Sequence, residues 1–324
     1  MNPRTPDDIP LVRRFPALTR IPRVALGRYP TPVESLESLA PHLWIKRDDL
    51  AGASMGGNKL RALEFLLGDL KPGERVVTVG SAGSTHALAV ATYGAALGAR
   101  VRVGRWRQVM NPIAERVAQR VSRVAERAPV FRTPVGAYLW SFRERLLGAR
   151  WIAAGGSTPI GILGHVNAGL ELVEQIDAGA LPAPANVVVP LGTGGTAVGL
   201  ALAFAIAERP IIVIGARVVP RVVARASRLE RLARRTSALI EQASGVSLPR
   251  VRGERLIIAH EQYGGAYGRE TPDARAAADR LRGAHGIELD ATYSAKAFAL
   301  ALCQAARGPT LFWLTFDSRI LDAP

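Results

Sequence analysis

A chain of 324 residues is long enough for two core-bearing lobes, and a hydrophobic content of 48% excludes global disorder. The formal charge of +15 raises the question of nucleic acid, but the arginines are spread along the chain and no nucleic-acid motif accompanies them. Their denser patches, Arg116 to Arg127 and Arg221 to Arg235, carry apolar residues at helical spacing (Val117, Val121 and Val124; Val222, Leu229 and Leu232), which reads as amphipathic helices with a solvated basic face.

Nucleic acid is therefore not expected as a partner. Cys303 is the single cysteine, which excludes an internal disulfide and fits a reducing, cytoplasmic setting. Residues 1–10 are polar and lack the apolar core of a signal peptide. No apolar run reaches membrane-spanning length, so no membrane partner is expected. The histidines (His42, His86, His165, His260 and His285) lie far apart, and no spacing resembles a metal site.

In chain order, residues 1 to 40 are rich in proline and read as an extended arm that wraps over another element. Leu43 to Arg47 alternates like a strand, closed by Asp48-Asp49. Gly56-Gly57-Asn58-Lys59 then leads into a strongly apolar helical run through Leu67, with Asn58 expected as its cap. Lys59 stands in the first turn, where a cation faces the positive end of the helix dipole and gains no stability from it. Only four of the 42 basic residues are lysine (Lys46, Lys59, Lys71 and Lys296), and of the two side-chain types only lysine condenses with an aldehyde.

Arg75 to Val79 reads as a buried parallel strand, ending in Gly80-Ser81-Ala82-Gly83-Ser84-Thr85-His86 before an alanine-rich helix from Ala87 to Leu97. A further strand starts at Val101, so strand and helix alternate as in a parallel α/β sheet. Open sheets of this kind bind ligands at the carboxyl ends of strands, which is where Ser84, Thr85 and His86 fall. A second glycine-rich loop, Gly155 to Gly161 with Ser157, precedes a helix from about His165 to Asp177.

Asn186 to Pro190 is again a buried strand by pattern, followed by Leu191-Gly192-Thr193-Gly194-Gly195-Thr196 and a helix from Ala197 to Glu208. Strand, glycine-rich turn and helix make a phosphate cradle. It is neither a Walker motif nor a dinucleotide fingerprint, and a small phosphate monoester fits it better. Apolar strands follow at Ile211 to Ile214 and at residues 255–259. Thr271-Pro272 opens one helix, Tyr293 precedes another, and Thr310 to Phe316 is the last strand.

An amine-bearing lysine, a phosphate cradle and polar loops at strand ends together suit pyridoxal phosphate. On these motifs the chain, from about Pro22 to Phe316, resembles the fold type II pyridoxal-phosphate enzymes, in the group of D-cysteine desulfhydrase and 1-aminocyclopropane-1-carboxylate deaminase. The resemblance implies an α/β, two-domain fold like the tryptophan synthase β chain, with parallel open sheets and helices on both faces. Residues 1–61 and 167–324 would form the large cofactor-binding lobe, and residues 62–166 the small one.

It implies Lys59 as the lysine that condenses with the cofactor and shuttles a proton. Ser84, Tyr267 and Tyr293 would be the further catalytic groups. Asn58, Thr85, Gly192, Thr193, Gly194, Gly195, Thr196, Ser294 and Thr315 would hold the cofactor, with Ser294 facing the pyridine nitrogen. Ser84, Thr85, His86 and Ser157 would bind a small amino-acid substrate. A homodimer is expected. The group has Asn where Thr85 stands, and Thr315-Phe316-Asp317-Ser318 replaces its usual Thr-Gly-Gly, so Phe316 is expected to narrow the pocket and Asp317 to bring a charge. The expected chemistry is β-elimination from D-cysteine to pyruvate, ammonia and sulfide. The alternatives are cyclopropane ring opening and a cofactor-binding protein without turnover.

Overall fold

The computed structural model describes residues 8–53, 55–251 and 253–321. The first seven positions of the polar segment read as lacking a leader lie outside them. Among the described residues no helix is long and apolar enough to cross a membrane.

Among the described residues ten strands form two sheets. The strands are β1 (Val33–Ser35), β2 (Leu43–Arg47), β3 (Arg75–Ser81), β4 (Arg100–Trp106), β5 (Val130–Phe131), β6 (Arg150–Ile152), β7 (Asn186–Leu191), β8 (Ile212–Arg217), β9 (Leu256–Ala259) and β10 (Thr310–Leu314). One sheet has the order β1-β2-β10-β7-β8-β9 and the other β5-β4-β3-β6. All pairings are parallel except β1 with β2. The central strands are continuous apolar runs, such as Val187 to Val189 and Leu311 to Trp313, because helices cover both faces and no side is left for water.

The helices are α1 (Pro10–Arg14), α2 (Asn58–Leu66), α3 (Thr85–Ala96), α4 (Pro112–Val124), α5 (Pro134–Leu146), α6 (Pro159–Asp177), α7 (Gly195–Ile206), α8 (Ala226–Ser244), α9 (Pro272–His285) and α10 (Ser294–Ala305). Proline opens α4, α5, α6 and α9, where its missing N–H is no loss. Asn111, Thr158 and Thr271 cap three of these by accepting from the amide three residues on. Every residue of α7 is buried, as its unbroken apolar sequence requires.

Three expectations need correction. The N-terminal arm is not extended throughout: α1 and a 3-10 turn at Pro16–Arg20 bury Leu11 and Leu18 in the main core, and Asn167 Oδ1 of α6 accepts the Leu11 N–H. Proline stands at the first position of both pieces, where it opens a helix rather than excluding one. The cap of α2 is Gly57, at φ 92°, not Asn58; a side chain at Gly57 would run into the Thr315 carbonyl. Val222 is not on the apolar face of α8, which starts only at Ala226; it is 67% exposed in the preceding loop.

A buried ion cluster fixes α2 from behind. Arg61 donates to both Asp48 oxygens (2.6 and 2.9 Å) and to both Glu171 oxygens (3.1 and 2.9 Å). Lys46 Nζ joins Glu171 at 2.6 Å, and Thr31 donates its N–H to Glu171 and its hydroxyl to Asp48. Tyr29 covers the guanidinium, with its ring centre 4.3 Å away. The donors come from β2, α2 and the arm, and the shared acceptor from α6. Gly164 lets α6 approach this close, since a Cβ there would strike the Arg61 carbonyl.

Candidate active site

The carboxyl ends of the two sheets face one cavity of about 420 Å³. Parallel topology puts the loops after β3, β7 and β10 there together. Of the residues expected at a site, Asn58, Lys59, Ser84, Thr85, His86, Ser157, the turn from Gly192 to Thr196, Tyr267, Tyr293 and Thr315 all border this cavity.

Lys59 projects from the first turn of α2. Among the described residues its amine meets no carboxylate, and desolvation lowers its pKa to about 8. The other three lysines are spent elsewhere. Lys46 is in the ion cluster, Lys71 is on the surface, and Lys296 donates to the Tyr263 carbonyl at 2.9 Å. Asn58, released from capping, donates its side-chain amide to Thr196 Oγ1 at 2.7 Å and so ties α2 to the start of α7.

The turn from β7 to α7 is held in shape by its neighbours. Gly194 takes φ 93° and caps α7. Ser157 belongs to this turn rather than to the Ser84 side: its hydroxyl pairs with Thr193 Oγ1 at 2.6 Å and accepts the Gly195 N–H at 3.2 Å. A Cβ on Gly192 would meet only Tyr293 Cε1, at 3.5 Å, so it would project into the cavity.

Across the cavity, Ser84 caps α3 by accepting the Ala87 N–H, with Thr85 as the first helical residue. His86 is buried behind them, its Nε2 3.2 Å from Thr78 Oγ1. Burial, and then the charge of Lys59, hold its imidazole at a pKa of about 3, so it is neutral. The Tyr267 and Tyr293 hydroxyls share a hydrogen bond of 2.7 Å, and burial raises both phenols above their usual range.

Two expected features differ. Ser294 is fully buried under the start of α10 and is not on the cavity wall. Asp317 brings no charge to the cavity: its carboxylate accepts the Gly56 N–H at 2.6 Å and pairs with Arg319. Phe316 does line the wall, packed into the core around α3.

Asp290 went unread in the sequence. It lies on the cavity wall, and its oxygens accept the N–H groups of Thr292, Tyr293 and Ser294 at 3.0, 2.7 and 3.0 Å. An acidic residue just ahead of a helix start was the available signal.

A lone desolvated amine, an anion cradle at a helix start and a glycine whose Cβ would fill the space between them form the donor set that pyridoxal phosphate needs. The chain belongs to the pyridoxal-phosphate dependent enzyme family, whose model matches residues 24–311. Within it, the chain falls in the group that includes D-cysteine desulfhydrases and 1-aminocyclopropane-1-carboxylate deaminases.

It is 34% identical to nocardicin C-9′ epimerase of Nocardia uniformis subsp. tsuyamanensis, over 92% of this chain and 94% of that protein. It is 33% identical to D-cysteine desulfhydrase of Klebsiella pneumoniae subsp. pneumoniae, over 87% of this chain and 88% of that protein. The crystal structure of an ACC deaminase homologue matches with a TM-score of 0.79 at 27% identity, covering 98% of this chain and 99% of that one. The cofactor is pyridoxal 5′-phosphate and the fold is the two-sheet fold type II.

Proposed function

We propose that the protein catalyses β-elimination from a β-substituted alanine, D-cysteine first, taking up water and releasing pyruvate, ammonia and sulfide. The bound cofactor supplies an electron sink for the pair left when the α-proton departs. Lys59 would hold the cofactor through its amine and would carry that proton; an amine with a pKa of about 8 is well matched to proton transfer near neutrality. Amides and hydroxyls of residues 192–196, with Asn58 tied to Thr196, would hold the phosphate. Ser84, Thr85 and the start of α3 take the substrate carboxylate. Tyr293, backed by Tyr267, is the second proton carrier, and Thr315, on the cavity wall, would help to hold the cofactor.

The observation that carries elimination is the lack of a free carboxylate on the wall. Among the described residues Asp290 is the single carboxylate lining the cavity, and three amides occupy it. Without a strong proton donor for the ring nitrogen, the sink is shallow. A shallow sink serves a substituent that leaves readily, as thiolate does, better than it serves opening of a cyclopropane.

Steady-state assays with both substrates test this. Pyruvate from D-cysteine at a higher kcat/KM than 2-oxobutyrate from 1-aminocyclopropane-1-carboxylate is expected, and the reverse order overturns it.

A second reading is inversion at Cα. Its support is the presence of two distinct proton carriers, Lys59 and the tyrosine pair, and the likeness to an enzyme named as an epimerase. Interconversion of enantiomers without pyruvate would favour it.

The division into lobes at 61/62 and 166/167 is part of the same proposal. The whole of β3 to β6 falls within 62–166, while both boundaries fall inside helices, α2 and α6. A homodimer and a cytoplasmic setting are proposed with it, supported by the likeness to the group and by the single cysteine.

A further inference from the structure

Beyond the lysine and the loop hydroxyls, the cavity has a wall that the chemistry above does not use. On the four-stranded side it is Trp106, the last residue of β4, with Pro134 and Tyr138 of α5. The Trp106 and Tyr138 rings stack, with centroids 6.3 Å apart and planes 25° apart, and Trp151 meets Tyr138 edge-on at 6.2 Å. On the six-stranded side it is Val219, Pro220 and Val223, from the loop after β8.

The two sides line the same cavity and face one space. None of these six wall residues carries a charge, in a chain that has 42 basic residues to place. Val135 and Val222, next in sequence to Pro134 and Val223, are 66% and 67% exposed, so apolar side chains continue from the wall toward solvent. Contiguous apolar surface leading out of a polar reaction site is the mark of a ligand groove.

Its position selects the part of the ligand it meets. Trp106 pairs in register with Ser81 of β3, one short loop before Ser84. Val219 follows Arg217 of β8, which pairs with Leu191 at the edge of the Gly192 turn. The wall therefore begins where the polar groups end and leads outward. A ligand with its carboxylate at Ser84 and its amine at Lys59 has this wall as the surface for its side chain.

We propose that the wall binds an extended apolar or aromatic group on the substrate's β-carbon. The substrate class is then S-alkyl- and S-aryl-type β-substituted alanines, with cysteine as their shortest member. The bond that breaks, Cβ–S, rests on the elimination reading. The thiolate leaves with the bonding pair and takes a proton, and water converts the remainder to pyruvate and ammonia. The wall's preference for an apolar side chain does not depend on that step.

Binding of phenylalanine and alanine of one chirality, each enantiomer in turn, to the cofactor-loaded protein tests the wall by the change in its visible absorption. Neither amino acid has a β leaving group, so the result is independent of elimination. For at least one enantiomer, phenylalanine should bind roughly tenfold or more tightly than alanine, from the apolar area buried. Val223→Asp and Tyr138→Ala, on opposite sides of the cleft, should each bring that ratio down severalfold. Phenylalanine binding no tighter than alanine, no response to phenylalanine, or a ratio unchanged in both variants overturns the proposal.

Discussion

The hydroxyl oxygens of Tyr267 and Tyr293 are 2.7 Å apart, and their rings meet edge to face with centroids 6.0 Å apart. Asp290 fixes one partner by accepting the Tyr293 N–H, and the segment before α9 supplies the other. A proton shared between two buried phenols makes them one unit. Tyr293→Phe should lower kcat by about 10²- to 10⁴-fold while the cofactor's visible band persists. Tyr267→Phe should act in the same direction and less strongly, and the double variant should be little worse than Tyr293→Phe. Losses that multiply in the double variant would mean that the two act separately.

Lys59 should be the attachment point of the cofactor. Lys59→Ala should lose the visible band, and borohydride reduction of the wild type followed by peptide mapping should find the adduct on residue 59. An adduct on Lys46, Lys71 or Lys296 would remove Lys59 from that role. The cofactor-free protein offers a second check. With a folded pKa of about 8, its amine is neutral in the native state and protonated in the unfolded chain from there up to about pH 10.4. Unfolded chains bind more protons across that window, so stability rises with pH through it. Between about pH 7.5 and about pH 9.5, wild type should gain on the order of 2 kcal/mol relative to Lys59→Met, measured by denaturant titration.

The two glycines of the turn should respond differently. Gly192→Asp puts a carboxylate into the cavity without meeting more than Tyr293 Cε1, so cofactor affinity should fall by roughly 100-fold or more with the fold intact. Gly194→Asp should lose the cofactor and also destabilise the protein by about 1–3 kcal/mol, because φ is 93° there and the new Cβ runs into Leu229. Equilibrium dialysis and thermal melting of the two variants separate the effects. Wild-type affinity in Gly192→Asp would take the turn out of the site.

Glu171 is the shared acceptor of the buried cluster. Burial pushes its carboxyl up, and Arg61 and Lys46 outweigh that, holding it at about 2. Its folded pKa lies below the unfolded one, so its contribution is complete above about pH 4.3 and is lost as pH falls toward 2. Glu171→Gln leaves two buried cations short of an anion and should cost about 3–5 kcal/mol at neutral pH. It should also flatten the acid limb of the stability curve between about pH 4.3 and about pH 2 relative to wild type. An unaltered acid limb would place that sensitivity on other carboxylates.

Much of the frame is legible in the sequence because it depends on short-range rules. Val187 to Val189 must be buried on both faces, and the glycine-rich turn behind it must open α7. The alternation of such units requires parallel sheets, and parallel sheets bring Lys59, Ser84 and the 192–196 turn to one end. What escaped depends on partners far away in the chain. Asn58 has the chemistry of a cap, but Thr196 takes its side chain and Gly57 alone accommodates φ 92° against Thr315. Ser294 is buried and Asp290 lines the cavity because of how the chain turns into α10, and local periodicity does not record that. Val223 lines one cavity with the stacked Trp106 and Tyr138 only because two sheets approach, so no spacing within either segment announces the wall they share.

The attachment of α2 has a consequence for how the site opens. Asn58 is bound to the start of α7, Gly57 abuts the residue after β10, and Arg61 is locked to α6 and the end of β2. The reactive amine and the anion cradle therefore ride on one rigid block. Trp106 belongs to the other sheet, and Ser84 and Thr85 start the helix that follows its strand β3, so all three lie outside that block. A motion that separated the two sheets would widen the doorway and leave the tether and the cradle in register, so substrate could be exchanged without loss of the cofactor.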